Sequence, residues 1–384
     1  MDDIFKLIKK EEERQKEIIN LIASENYTSD AVREALASVL MNKYAEGYPG
    51  KRYYAGNEII DEVEKLTQSR ALEVFALAPD EWSVNVQPLS GAQANLAVYS
   101  ALVPLGETIL ALDLAHGGHL SHGHKVSLTG KIWKQATYGV AHETEVLDYE
   151  EVERIAKEVK PKMIVTGYTA YPRTIDFARL RTVADSVGAL LHADISHVAG
   201  LIAGDVYASP FAYADTVMTT THKTLRGPRG AVVFSRSEYA PKIDKAVFPG
   251  LQGGPHMNKI AAMAVAFGEV LDPKFKLYAE RVVKNAAALA EVLTERGLRL
   301  VSGGTDTHLL LVDTWQSGAG IPGDEAAERL EKVGIITNKN TIPFDERSPQ
   351  SPSGIRLGTP AETTRGKDED DFRAIGNRIA DTLA

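Results

Sequence analysis

The sequence predicts an α/β fold in which helices cover both faces of a mostly parallel sheet. Short apolar runs of strand length alternate with helical segments, and no internal repeat or low-complexity tract interrupts this alternation. A chain of 384 residues also exceeds one simple core and suits a large domain with a smaller companion. We therefore expect functional loops at the carboxyl ends of the strands.

A highly charged helix is predicted first, and we expect it to pack on another surface. Its apolar residues recur at near-helical spacing: Ile4, Leu7, Ile8, Ile18, Ile19 and Ile22. After a Gly/Tyr-rich segment and a further helix come the predicted strands, at residues 83–87, 108–112, 163–166, 189–193, 216–219 and 231–235.

The C-terminal part is predicted to begin with two long helices, near residues 259–270 and 276–296. Shorter elements follow near residues 308–313 and 354–357. We place the domain change near residue 270, so that the predicted parts are an N-terminal helical arm (1–45), a large domain (46–270) and a small C-terminal α/β domain (271–384).

Composition and charge argue against several classes of protein. The chain is 44% apolar and 25% charged, as ordinary globular proteins are, and its net charge of -9 disfavours a nucleic-acid partner. It has no cysteine, which excludes disulfides, thiolate metal sites and cysteine nucleophiles. No signal-peptide core and no run of membrane-spanning length is present, so we expect a cytoplasmic protein without membrane contact.

Small residues follow the first predicted strand and open a helix at Ser90, Gly91 and Ala92. Exposed N–H groups at a helix N-terminus, with small side chains that permit close approach, bind phosphate groups. A Ser-Gly turn is also an ordinary helix cap, and the residues alone leave both interpretations open.

Four histidines lie within the nine residues from His116 to His124. Such a cluster suggests a zinc or transition-metal site, with structural or ring-stacking histidines as the alternative. The intervening glycines argue against a rigid ligand face and no carboxylate follows nearby, so we predict no metal site.

Asp194 and Lys223 each follow a predicted strand. A buried carboxylate requires a cation or several hydrogen-bond donors, unless Asp194 merely caps the next turn. Lys223 follows a run of hydroxyl residues and precedes a Gly/Pro turn, where a lysine can be a Schiff-base nucleophile rather than a surface charge. About one strand–helix–strand excursion separates the two residues, so both can face one pocket. Pyridoxal phosphate requires an acid at its ring nitrogen and a lysine at its aldehyde carbon.

At these residues the sequence closely resembles the serine hydroxymethyltransferase family. Matching blocks occur in order over nearly the whole chain, in the motifs above and at residues 21–26, 44–54, 248–255, 337–340 and 354–361. The resemblance implies the aspartate-aminotransferase-like fold of pyridoxal-phosphate enzymes (fold type I). It also implies reversible conversion of L-serine and tetrahydrofolate to glycine and 5,10-methylenetetrahydrofolate.

The resemblance assigns the cofactor contacts. Lys223 would bind the aldehyde carbon, Asp194 the ring nitrogen and His119 the ring face. The phosphate-binding residues would be Ser90, Gly91, Ala92 and His222, and Thr169 would lie near the cofactor.

The resemblance likewise assigns the substrate contacts. Arg356 would bind the substrate carboxylate with help from Ser24 and Tyr54, and His197 would lie near the cofactor oxygen and the substrate. Glu46 would act as acid or base at the serine hydroxyl or the folate. Further folate contacts would come from Tyr53, Leu114, Gly118 and Asn340.

The same family places Tyr44, Glu46, Gly253 and Gly254 at the active site of the neighbouring subunit, which implies a homodimer and leaves a tetramer open.

Three positions depart from the commonest pattern of the family: Ala92 and Thr169 stand where serine is often found, and Ser196 replaces the usual alanine. None of these changes removes a catalytic group. Two alternatives remain, a folate-independent aldolase for 3-hydroxy amino acids such as threonine, and a non-catalytic binding protein built on the same fold, with RNA as an example of its ligand. Glu46 and the folate loop argue against the first, and the acidic balance and Lys223 disfavour the second.

Overall fold

The computed structural model describes residues 2–316 and 320–384, which divide into two units. The first unit contains the residues up to Glu25, Ala170–Arg173 and Arg281–Ala384, and the second contains Asn26–Thr169 and Thr174–Glu280. The domain boundaries near residues 45 and 270 stay a prediction.

The strands are, in chain order, β1 (Ile19–Asn20), β2 (Gly47–Tyr48), β3 (Lys51–Arg52), β4 (Trp82–Asn85), β5 (Thr108–Leu112), β6 (Lys134–Tyr138), β7 (Met163–Gly167), β8 (Leu190–Asp194), β9 (Thr216–Thr220), β10 (Ala231–Arg236), β11 (Arg299–Leu300), β12 (Leu309–Asp313), β13 (Ile335–Ile336), β14 (Asn338–Asn340) and β15 (Gly354–Gly358).

The helices are α1 (Asp3–Glu17), α2 (Asp30–Leu36), α3 (Glu58–Val74), α4 (Gly91–Leu102), α5 (Leu128–Ile132), α6 (Tyr149–Val159), α7 (Phe177–Val187), α8 (Ala199–Ala203), α9 (Ala240–Lys245), α10 (Met257–Val270), α11 (Lys274–Glu295), α12 (Gly323–Lys332), α13 (Pro360–Thr364) and α14 (Glu369–Leu383). Over the described residues, none of them combines the length and the apolar character that crossing a bilayer requires.

The main sheet lies in the second unit. In the described residues it has seven strands in the order β4-β10-β9-β8-β7-β5-β6, and only β10 runs antiparallel to its neighbours. The predicted α/β class, the mostly parallel sheet and every predicted strand of this sheet are thereby confirmed. The sequence did not predict β6, because this edge strand is only partly buried and begins with Lys134 and Gln135 rather than an apolar run.

The predicted helical pattern at the N-terminus is wrong beyond Glu17. The helix α1 ends there, and Ile18 is already extended. The chain then pairs in parallel with β13, since the N–H of Ile19 donates to Gly334 O at 2.9 Å. Adjacent β-branched residues favour an extended backbone, and this pairing outweighs the apolar spacing of Ile18, Ile19 and Ile22. Ile4, Leu7 and Ile8 are about half exposed on α1.

A second sheet lies in the first unit. Its strands follow the antiparallel order β11-β12-β15-β14, and Leu293, Leu310, Ile355 and Phe372 belong to its buried core. The elements predicted near residues 308–313 and 354–357 are therefore adjacent strands. The two long helices of the C-terminal part are confirmed as α10 and α11.

A buried lysine fixes the turn between β4 and α4 in the second unit. Lys259 Nζ donates to the carbonyl oxygens of Val86, Gln87 and Pro88 at 3.3, 3.1 and 2.9 Å. The isosteric Lys259→Met change deprives these carbonyls of a donor, so we expect the free energy of unfolding to fall by about 2 to 4 kcal/mol in urea titrations.

The matched control is Lys276→Met, which removes an exposed ion pair with Asp205 and should change the free energy of unfolding by less than about 0.5 kcal/mol. Equal effects of the two substitutions would contradict the role of Lys259.

Candidate active site

Asp194 ends β8 and is buried. Its Oδ2 accepts hydrogen bonds from His122 Nε2 at 3.0 Å and Asn95 Nδ2 at 2.9 Å, and its Oδ1 accepts one from the N–H of Ser196 at 3.0 Å. Burial alone would raise the pKa of Asp194, but the hydrogen bond from His122 and nearby positive charges hold this pKa well below its usual range. Asp194 is therefore an anion at neutral pH, suited to keep a proton on a ring nitrogen.

His119 lies in the loop after β5. Its Nδ1 accepts a hydrogen bond from the N–H of Ser121 at 3.1 Å and lies 2.7 Å from Ser121 Oγ. Burial, together with the charge of His122, lowers the pKa of His119 to about 4. The ring is therefore neutral at pH 7 and can stack on another aromatic ring.

Lys223 lies just after β9, close to Asp194 and His119. Burial and the charge of Lys223 lower the pKa of His222 to about 3, and the same charge contributes to the lowered pKa values of His119 and Asp194. An ammonium group that acts on all three side chains lies near them. The structure thus brings Lys223, Asp194, His119 and His222 into one site within the second unit.

The start of α4 packs against the end of β9. A Cβ added to Gly91 would lie 2.8 Å from Thr220 Cγ2, so this contact requires glycine. The Ser90 hydroxyl precedes the helix but makes no capping hydrogen bond. Among the described residues, the buried Thr220 Oγ1 and His222 Nδ1 also have no hydrogen-bond partner. Helix N–H groups next to such atoms fit a phosphate group better than an ordinary cap.

The loop that contains Leu114 and Gly118 is hydrogen-bonded to Thr169, which lies just after β7. A Cβ on Gly118 would lie 2.1 Å from Leu112 O, so only glycine fits this turn. Thr169 Oγ1 donates to Gly118 O at 2.9 Å, and the N–H of Thr169 donates to Gly117 O at 2.8 Å. Thr169 therefore holds the loop in place, and its contact with a cofactor stays a prediction.

His197 and Ala92 flank the same site. His197 is buried, its ring centroid lies 6.4 Å from that of Tyr168, and its carbonyl accepts a hydrogen bond from Thr224, the residue after Lys223. Ala92 is exposed in the first turn of α4.

Exposed tyrosines form a separate cluster in the second unit. The ring centroids of Tyr44 and Tyr54 are 5.2 Å apart, and those of Tyr53 and Tyr54 are 5.3 Å apart. Two glycines complete the cluster: a Cβ on Gly254 would lie 3.1 Å from the Tyr44 ring, and one on Gly253 would lie 3.4 Å from Glu46 Oε1. The structure therefore groups the residues that the resemblance assigns to the neighbouring subunit.

A buried ion pair anchors the backbone on both sides of Glu46. Arg52 donates to Glu64 Oε2 at 2.5 Å and to the carbonyl oxygens of Ala45 and Gly47 at 2.9 and 2.8 Å. Burial raises the pKa of Glu64, and the charge of Arg52 opposes this rise. The position of Glu46 thus depends on an internal ion pair.

Three predicted residues lie in the first unit. Arg356 is buried on β15, and its Nε donates to Asn338 Oδ1 at 3.1 Å. Burial lowers the pKa of Arg356 to about 10, which leaves the guanidinium cationic at neutral pH. Asn340 Nδ2 donates to Thr341 O at 2.6 Å, and Ser24 is half-buried.

Within the described residues, no group of three or more His, Asp or Glu side chains is placed to hold a metal ion. The clustered histidines have other partners: His122 contacts Asp194, His119 contacts Ser121, and His116 Nδ1 accepts a hydrogen bond from the N–H of Val140 at 3.2 Å.

Three buried polar residues of the site were not predicted, namely Asn95, His122 and His192. The sequence positions of His192 and Asn95 could have indicated that they belong to the site. His192 precedes Asp194 by two residues and so points to the same face of β8, whereas Asn95 lies about one turn after Gly91 on α4.

Known proteins resemble the chain over nearly its whole length. The family model for serine hydroxymethyltransferase matches residues 1–379. The serine hydroxymethyltransferase of Desulfotalea psychrophila is 54% identical over 377 residues, which cover 98% of this chain and 87% of the relative. That of Koribacter versatilis is 53% identical over 380 residues, which cover 99% and 88%, respectively.

Proposed function

This chain belongs to the serine hydroxymethyltransferase family and catalyses that family's reaction, and we propose that it does so with pyridoxal phosphate bound at Lys223. The reaction is the reversible conversion of L-serine and tetrahydrofolate to glycine and 5,10-methylenetetrahydrofolate. The convergence of Lys223, the anionic Asp194 and the neutral His119 in one buried site carries the proposal.

The chemistry of the residues in this site fits the cofactor. Lys223 Nζ would bind its aldehyde carbon, Asp194 would hold a proton on its ring nitrogen, and His119 would cover one ring face. The proposed phosphate contacts are Ser90, Gly91, Ala92 and His222, and Thr169 is proposed to lie near the cofactor. When bound, the cofactor supplies an electron sink for cleavage of the Cα–Cβ bond of serine.

Arg356 is proposed to bind the substrate carboxylate, assisted by Ser24 and Tyr54, with His197 near the substrate. A guanidinium offers two parallel hydrogen bonds to a carboxylate, and the buried position of Arg356 strengthens them.

Glu46 is proposed to act as acid or base at the serine hydroxyl or the folate. Further contacts with the folate are assigned to Tyr53, Leu114, Gly118 and Asn340. The glycine-only turn at Gly118 sets the shape of the loop that carries two of these residues, Leu114 and Gly118.

The spectrum and product of the purified protein test this function. With pyridoxal phosphate it should turn yellow, its visible absorbance should change on addition of serine or glycine, and glycine formation from serine should depend on tetrahydrofolate. Equal serine cleavage without tetrahydrofolate would favour the aldolase instead. A protein that is colourless after incubation with pyridoxal phosphate and removal of the unbound cofactor would refute the proposal.

We propose that the protein is a homodimer in which each active site contains residues of both subunits. We also propose that it is cytoplasmic. The exposed Tyr44, Tyr53 and Tyr54, which lie with the half-buried Glu46 beside the 253–254 glycines, support the homodimer, because aromatic groups are enriched at interfaces.

Mixing two inactive variants tests the shared site. Lys223→Ala and Glu46→Gln should each lower kcat by about 100-fold or more. If Glu46 acts on the neighbouring subunit, half of the randomly mixed dimers contain one intact site, and about a quarter of the parent activity should return on subunit exchange.

The control is each variant taken alone through the same exchange procedure. Exchange without recovery of activity would place Glu46 in the site of its own chain, and a fully active monomer at high dilution would contradict the dimer.

A further inference from the structure

We propose that Asn95 is a positioning residue that holds Asp194 and His119 in one fixed arrangement through a buried hydrogen-bond network. This inference rests on the proposed function, from which Asp194 and His119 take their roles. Asn95 is fully buried on α4, and its side-chain amide lies 2.9 Å from Asp194 Oδ2, Ser121 Oγ and His192 Nε2.

The chemistry of its partners fixes the orientation of the Asn95 amide. The ionised Asp194 carboxylate can only accept hydrogen bonds, so the amide nitrogen must face it. The same nitrogen donates its second proton to Ser121 Oγ. Asn95 Oδ1 therefore faces His192, and His192 Nε2 must donate to it.

The hydrogen bonds of this network fix both histidine tautomers. Burial lowers the pKa of His192 to about 4, so its ring is neutral and Nδ1 accepts a hydrogen bond from the Thr216 hydroxyl at 2.8 Å. His119 Nδ1 accepts the N–H of Ser121 and therefore carries no proton, so the Ser121 hydroxyl, whose Oγ accepts from Asn95, also donates to His119 Nδ1. His119 consequently carries its proton on Nε2.

The network therefore joins two proposed cofactor contacts through one side chain. Asn95 and His122 both donate to Asp194 Oδ2, which sets the plane of the carboxylate, while Ser121 sets the plane of the His119 ring. Leucine at position 95 has as many side-chain heavy atoms as asparagine but loses all three bonds. Aspartate keeps the shape but places a second carboxylate beside Asp194.

Imidazole nitrogen NMR shifts of the cofactor-free protein supply the first test. The parent should show His119 and His192 as neutral rings protonated on Nε2, and Asn95→Leu should remove this single-tautomer state at His192, whose Nε2 loses its acceptor. Protonation of either ring on Nδ1 in the parent would overturn the network, whether or not the protein binds a cofactor.

Cofactor titration supplies the second test. Asn95→Leu and Asn95→Asp should weaken pyridoxal-phosphate binding about 10- to 100-fold, the loss of one or two bonds to a charged group. The matched control Thr216→Val removes only the hydrogen bond between the Thr216 hydroxyl and His192, and its pyridoxal-phosphate affinity should stay within about threefold of the parent's.

A second variant decides the matter if Asn95→Leu does not fold. Ser121→Ala removes the hydroxyl that joins Asn95 to His119 but keeps the N–H of residue 121, so both rings should stay protonated on Nε2 while pyridoxal-phosphate binding weakens. Unchanged cofactor affinity in the folded Asn95 and Ser121 variants would refute the positioning role. Failure of the parent to bind pyridoxal phosphate would refute the proposed function instead.

Discussion

Replacing Lys223 by alanine should lower kcat about 1,000-fold or more while the protein still folds and binds the cofactor. The variant loses the covalent link to the cofactor aldehyde and the exchange by which the substrate amine takes over that link. Asp194, His119 and the start of α4 remain, so noncovalent contacts with the ring and phosphate persist.

Rapid-mixing absorbance and steady-state glycine formation measure this effect, and circular dichroism reports on the fold. Loss of the Lys223 charge should also raise the pKa values of His222 and His119 in histidine NMR titrations, because that charge lowers both. Lys245→Ala, on the exposed surface of α9, is the matched control. Near-normal turnover of Lys223→Ala would contradict the cofactor site.

Much of the fold could be predicted because most strands of the main sheet are buried on both faces. Such strands are continuous apolar runs, as in β7 and β9, whereas β6 lies at the edge and lacks that signal. The N-terminal helix was predicted too long because only the folded structure reveals the pairing of β1 with β13.

Candidate site residues could be identified from the sequence where a residue's chemistry is unusual for its place in the chain. Asp194 and Lys223 stood out as charged residues directly after apolar strands. Asn95 and His192 did not, because their importance lies in atoms brought together by folding from α4 and β8. The absence of a capping bond at Ser90, which favours the proposed phosphate turn over an ordinary helix cap, likewise emerges only from the folded structure.

Arg356→Lys and Arg356→Ala should both bind glycine much more weakly than the parent holoenzyme. A guanidinium fork meets both oxygens of a carboxylate, whereas a lysine offers one point charge. Losing this contact should cost about 2 to 5 kcal/mol, or roughly thirty-fold to several thousand-fold in kcat/KM. The buried position of Arg356 on β15 motivates the prediction, because a cation taken out of water requires compensation by hydrogen bonds or an anion.

The alternative for Arg356 is a structural role, and glycine titration of the folded, yellow variants separates the two. A structural arginine would affect the melting temperature more than the glycine affinity, and lysine would partly replace it. A carboxylate-binding arginine would lose glycine affinity in both variants while each still binds the cofactor. Arg347→Lys is the matched control, since Arg347 stacks on Trp315 and hydrogen-bonds to Ser351 in the same unit. If glycine binds both Arg356 variants as tightly as it binds the parent and the Arg347→Lys protein, Arg356 does not bind the substrate carboxylate.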